Sequence, residues 1–114
     1  MRNSMTAVLE RDGVTGPDYT TEPYEVAWAG EARWFVRTLE FPEGIEGVDF
    51  RVQVSPDGLY WCDIDETVHT VVTPGVATWT TREFGGWLRL HATVRGPAAA
   101  GTQVPMLIYL ALKE

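Results

Sequence analysis

From residue 24 onward the chain alternates between apolar and polar positions with a period of two, the repeat of a half-buried β-strand. "VDFRVQVS" places Val48, Phe50, Val52 and Val54 on one side and Asp49, Arg51, Gln53 and Ser55 on the other. "GWLRLHATV" sets Leu88, Leu90, Ala92 and Val94 against Trp87, Arg89, His91 and Thr93. "ARWFVRTLEF" sets Ala32, Trp34 and Val36 against Arg33, Phe35 and Arg37. The shorter runs "YEVAWA", "LYWCDI", "TVHTVV" and "VATWTTREF" are rich in β-formers, and Gly, Pro and Asp punctuate the chain about every 8–12 residues. No helical repeat outlasts a turn, and the tri-alanine at 98–100 is boxed by Gly-Pro and Gly. The pattern predicts an all-β domain: an antiparallel two-sheet β-sandwich, jelly-roll-like, of about eight strands. A closed barrel is the alternative, and alternation alone carries no strand order.

Two segments depart from this pattern. Residues 1–23 lack clear periodicity; "AVLERDGV" suits a short strand or the start of a hairpin, and "TGPDYTTEP" is rich in turn formers. They read as an N-terminal arm or irregular edge, with residues 24–114 as one sandwich domain. The last run, "QVPMLIYLALKE", is apolar on both sides: Val104, Met106, Ile108, Leu110 and Leu112 on one, Pro105, Leu107, Tyr109 and Ala111 on the other. A strand apolar on both faces expects cover on both. The expected cover for Leu107, Tyr109 and Ala111 is the arm or another subunit, since large exposed apolar patches are rare on monomers.

Residues 54–61, "VSPDGLYW", link two of the predicted strands. Pro56 and Asp57 suit the central positions of a type I turn, Gly58 suits a left-handed third residue, and the Ser55 hydroxyl can accept a backbone N–H. The motif Ser55-Pro56-Asp57-Gly58-x-x-Trp61, the strand Trp87-Leu88-Arg89-Leu90 and the apolar stretch 104–112 together resemble small bacterial and phage β-sandwich domains. More distantly they resemble galactose-binding (discoidin-type) domains. The likeness spans about residues 45–112 and implies a sandwich fold. The chain lacks the bracketing cysteines and long N-terminal loops of discoidin domains, so the resemblance does not bring their ligand contacts with it.

Composition narrows the function. The 114 residues suffice for one core. A net charge of −7, from 16 acidic and 9 basic residues, argues against nucleic acid as a partner. No apolar run approaches the ~20 residues of a membrane span, and the N-terminal stretch lacks the apolar core of a secretory signal. The single cysteine, Cys62, excludes an intrachain disulfide and reads as a small buried hydrophobe. Two histidines, His69 and His91, fall on different predicted strands, and no nucleophile–base motif or phosphate loop occurs. The expectation is therefore a protein without catalysis and without a required cofactor.

Three sets of residues remain as binding candidates. Trp87, Arg89, His91, Phe35 and Tyr60 are predicted on outward strand faces or the turn, where Trp and Arg suit protein interfaces and flat aromatics suit sugar rings. Trp79 is a second candidate platform for a glycan. Leu107, Tyr109 and Ala111 form the expected contact with another subunit. Asp63, Asp65 and Glu66, near Asp57, have the oxygen chemistry of Ca²⁺ but lack the glycine and spacing of an EF-hand loop. The leading expectation is a structural module that forms a homo-oligomer or decorates a larger assembly such as a phage virion, shell or surface layer. The alternative is a carbohydrate-binding module.

Overall fold

In the computed structural model, which describes residues 3–64 and 66–114, the alternating runs form strands and no helix is present among the described residues. The strands are β1 (Ser4–Glu10), β2 (Gly13–Thr15), β3 (Asp18–Thr20), β4 (Tyr24–Glu25), β5 (Glu31–Thr38), β6 (Gly47–Ser55), β7 (Cys62–Asp63), β8 (His69–Val71), β9 (Gly75–Arg82), β10 (Trp87–Arg95) and β11 (Gln103–Lys113). They build two antiparallel sheets. Sheet 1 runs β1-β11-β5-β9, with β2 also on β11; sheet 2 runs β3-β10-β6-β7, with β4 on β10 and β8 on β6.

Several short strands are halves of broken ones. β1 and β2 pair with successive stretches of β11, β3 and β4 with successive stretches of β10, and β7 and β8 with two parts of β6. Joining these three pairs leaves eight strands. Numbered along the chain, they run 1-8-3-6 in one sheet and 2-7-4-5 in the other, which is jelly-roll order. The chain changes sheet at every connection except the one through the Ser-Pro-Asp-Gly turn.

Alternation sets the core. Trp34, Val36, Met106, Ile108, Leu110 and Leu112 descend from sheet 1, and Phe50, Val52, Leu88 and Leu90 rise from sheet 2, all buried. The Trp34 indole N–H donates to the Thr81 hydroxyl at 2.9 Å inside this layer, so a large aromatic enters the core without leaving a donor unpaired.

Residues 1–23, expected as an arm or irregular edge, hold β1, β2 and β3 within their described part. A carboxylate organises them. One Glu10 oxygen accepts N–H groups from Arg11, Asp12 and Gly13 at 3.0, 2.9 and 3.3 Å, closing the turn between β1 and β2. The other accepts the Tyr19 hydroxyl from sheet 2. Burial alone would raise the Glu10 carboxyl, but the Tyr19 hydroxyl and the three backbone donors hold it below its ordinary value. Burial and the adjacent carboxylate push the Tyr19 hydroxyl well up. The chain crosses between sheets at Gly16, where a Cβ would stand 2.2 Å from the Ala99 carbonyl oxygen. The two ends of the chain meet beside β11: Asn3 N–H donates to Glu114 Oε1 at 2.7 Å, and Glu114 N–H donates to the Asn3 carbonyl at 3.1 Å.

Candidate functional site

The jelly roll divides the candidate residues between opposite faces. Trp87, Arg89 and His91 lie on the outer face of sheet 2, half-buried, as period two requires. Phe35 lies on the outer face of sheet 1, beside Leu107, Tyr109 and Ala111. The structure therefore does not bring Phe35 and Trp87 into one site.

The outer face of sheet 2 is a polar ladder with aromatics at one end. Arg89 stands opposite Gln53, which stands opposite Asp63. Arg89 Nε donates to Gln53 Oε1 at 2.8 Å, and Gln53 Nε2 donates to Asp63 Oδ1 at 3.2 Å. The guanidinium carbon lies 4.3 Å from the Trp61 ring centroid, a cation–π contact that fixes the indole at the sheet margin. Partial burial lowers the Arg89 pKa from its ordinary value. Further along, His91 Nε2 and the Thr93 hydroxyl both meet Asp18 Oδ1, at 3.1 and 3.2 Å. Asp49 accepts from Thr70 at 2.7 Å and from Arg95 at 2.8 Å.

The Ser-Pro-Asp-Gly turn closes the aromatic end. The Ser55 hydroxyl accepts the Gly58 N–H at 2.8 Å and donates to Asp57 Oδ1, which accepts from Leu59 and Tyr60 N–H at 2.9 and 3.2 Å. Those backbone donors hold the Asp57 carboxyl below its ordinary value. Gly58 has φ 81°, the left-handed conformation that favours glycine, and it lies against the Trp87 ring. Two expectations shift here. Ser55 is fully buried rather than outward, because it sits beneath the turn it organises. The turn is also not a tight bulged hairpin: residues 56–61 form a longer connection, and Tyr60 projects from it 77% exposed.

Other expectations are corrected by position. Cys62 is exposed, not buried, because it pairs with half-buried Val54 in a two-residue strand at the sheet margin. Trp79 is buried and unavailable as a sugar platform: it faces inward from β9, stacked on His69 with ring centroids 4.3 Å apart. Cys62 and His91 are separated by β6 and form no pair. Asp63 is exposed in β7 and bonded to Gln53; Glu66 is exposed; Asp65 lies outside the described residues. Among the described residues no three His, Cys, Asp or Glu side chains converge as metal ligands.

The outer face of sheet 1 differs in character. Val8, Tyr109 and Phe35 stand side by side on β1, β11 and β5, ending at Thr78 on β9. Leu107, Arg37 and Val76 form the adjoining row, and Ala111, Arg33 and Thr80 the row on the other side. Val8 is 41% and Val76 66% exposed. Arg33 Nη1 donates to the Thr78 hydroxyl at 3.1 Å, and a shallow groove of about 270 Å³ opens between Phe35, Ala111 and Arg82. β1 and β2 extend this sheet at its side instead of covering the face, so no described segment of the chain lies over Tyr109. Alternation exposed the apolar face of β11 in the sequence; the neighbours Val8 and Val76 were not legible there, because their contact depends on strand order.

Comparison with known proteins places the fold. No family model matches the chain, and no curated protein matches it. Solved structures do. The chain superposes on the PBSX exported protein XepA with TM-score 0.67 and 7% identity, covering 95% of this chain and 36% of XepA. It superposes on the SPBc2 prophage-derived protein YomS with TM-score 0.64 and 6% identity, covering 100% and 96% of the two chains. A protein of Bacillus endospore appendages, described as disulfide-linked pili, matches with TM-score 0.56 and 13% identity over 98% and 85%. This is a small β-sandwich of a kind found in phage-derived and bacterial proteins.

Proposed function

We propose that this protein is a non-enzymatic structural module that self-associates within a larger assembly. The observation that carries this reading is the uncovered apolar row Val8–Tyr109–Phe35 with Leu107 and Val76 beside it on the outer face of sheet 1. An apolar row spanning three adjacent strands gains most when another protein surface removes it from water. The sandwich neighbours, which include an exported protein, a prophage-derived protein and an appendage protein, support this reading through fold alone.

The test is mass in solution. Deleting residues 1–22 is unsuitable, because it would strip β1 to β3 from both sheets. Point substitution is usable. Light scattering on a sizing column should give a particle heavier than one 12.7 kDa chain. The Leu107→Lys/Tyr109→Lys variant should shift that particle toward a single chain. A wild-type protein that remains a single chain at every concentration would refute self-association.

A second reading, glycan binding, is favoured by one arrangement: Trp61 held by Arg89, Trp87 two positions away on the same face, and Tyr60 projecting at the end. Flat aromatics around a fixed guanidinium suit a sugar ring. Binding on a glycan array that Trp87→Ala abolishes, with unfolding behaviour unchanged, would support it.

A further inference from the structure

The sandwich has two kinds of edge. Sheet 2 ends in broken strands on both sides, β3 with β4 and β7 with β8. Sheet 1 ends in β1, whose register with β11 shifts between Val8 and Glu10, and in β9. β9 is different. It pairs with β5 through eight consecutive residues without a shift, Gly75 to Arg82. Among the described residues its backbone makes no bond on the side away from β5.

Proteins blunt such edges with Lys, Pro, bulges, inward charges or a covering segment. β9 has no lysine, no proline and no bulge, and its first charge is Arg82 at the last position. Its outer-face side chains Val76, Thr78 and Thr80 are exposed. At its start, Val72 is 56% exposed, and a groove of about 280 Å³ runs along residues 70–77. An eight-residue edge in regular register, uncharged until its last residue and carrying or adjoining the exposed Val76 and Val72, is a template for another strand.

We propose that β9 pairs antiparallel with β9 of a second copy, joining the two four-strand layers of sheet 1 across a two-fold axis. This rests on the self-association reading and names the partner and the edge. Self-pairing is favoured over pairing with β1 because it places one regular strand against another and meets its own symmetry requirement. Each face of the joined sheet stays continuous only when even-numbered residues oppose even-numbered ones. Two central registers satisfy this. In one, Thr78 opposes Thr80 and Val76 opposes Arg82; in the other, Thr78 opposes Thr78 and Val76 opposes Thr80. Neither sets like charges together.

The test is the variant Val76→Lys/Thr80→Lys, whose replaced side chains are exposed, so the core is untouched. In the first register the lysine introduced at position 76 faces Arg82 of the second copy, and in the second the lysines introduced at 76 and 80 face each other; like charges directly opposite repel. Light scattering of the full chain should show the particle mass halved. The β9 amides that point away from β5 should exchange slowly in concentrated wild-type protein and fast on dilution or in the variant, with thermal unfolding of diluted samples alike. A particle mass and β9 exchange unchanged by the lysines overturn the edge pairing while leaving self-association in place. A wild-type protein that is a single chain at every concentration overturns self-association and the pairing with it.

Discussion

Single side chains tie parts of this sandwich together at two places. Thr81 gives the buried Trp34 indole its acceptor at 2.9 Å. Thr81→Val keeps the shape and removes the acceptor, leaving a buried donor unpaired. That should cost about 1–3 kcal/mol in denaturant unfolding, whereas Thr80→Val, one position along on the exposed face, should cost far less. Glu10 is the other place, with its turn donors on one oxygen and Tyr19 on the other. Its folded pKa lies below the ordinary 4.5, so the folded state favours the ionised form. The stabilisation is fully present above that ordinary value and is lost as pH falls through the folded one. Acid titration of stability should therefore steepen below pH 4.5, and Glu10→Gln should flatten that limb. An unchanged limb in the variant would remove Glu10 from the account.

At the scale of elements, period two was a reliable guide wherever a strand was long. Leu88 to Val94 and Ala32 to Val36 alternate in the structure as they do in the sequence. It faltered where strands are short or marginal. "LYWCDI" reads as six strand residues but supplies only Cys62 and Asp63, because Asp57 and Ser55 draw the preceding backbone N–H groups into the turn. The N-terminal region was legible only in "AVLERDGV", which spans the end of β1 and the start of β2; β2 and β3 are three residues each, too short to show a period, and the Glu10–Tyr19 contact that joins the two sheets lies outside any local pattern. The connections carry their own test. Gly86 has φ 75°, and a Cβ there would stand 2.4 Å from the Ser55 carbonyl oxygen; Gly101 has φ 81° with open space around it. Alanine at Gly101 meets only the backbone strain, about 1–2 kcal/mol. Alanine at Gly86 adds a backbone collision, so its loss of thermal stability should be clearly the larger of the two.

For the molecule as a whole, which residues share a face was legible in the sequence, but which faces adjoin was not. Trp87, Arg89 and His91 could be placed on one strand face from alternation. That Trp61 would lie on Arg89, and that Phe35 would turn to the opposite side, followed only from the order of strands. The same order brings Asn3 and Glu114 into contact at the margin of sheet 1. A polypeptide attached at either terminus would thus emerge from the same place. The ends could also be spliced by a short linker and the chain reopened in the loop around Ala98–Gly101, between β10 and β11. Such a circular permutant would keep every strand neighbour while moving β11, which pairs with β1, β2 and β5, from the end of the strand sequence to its beginning.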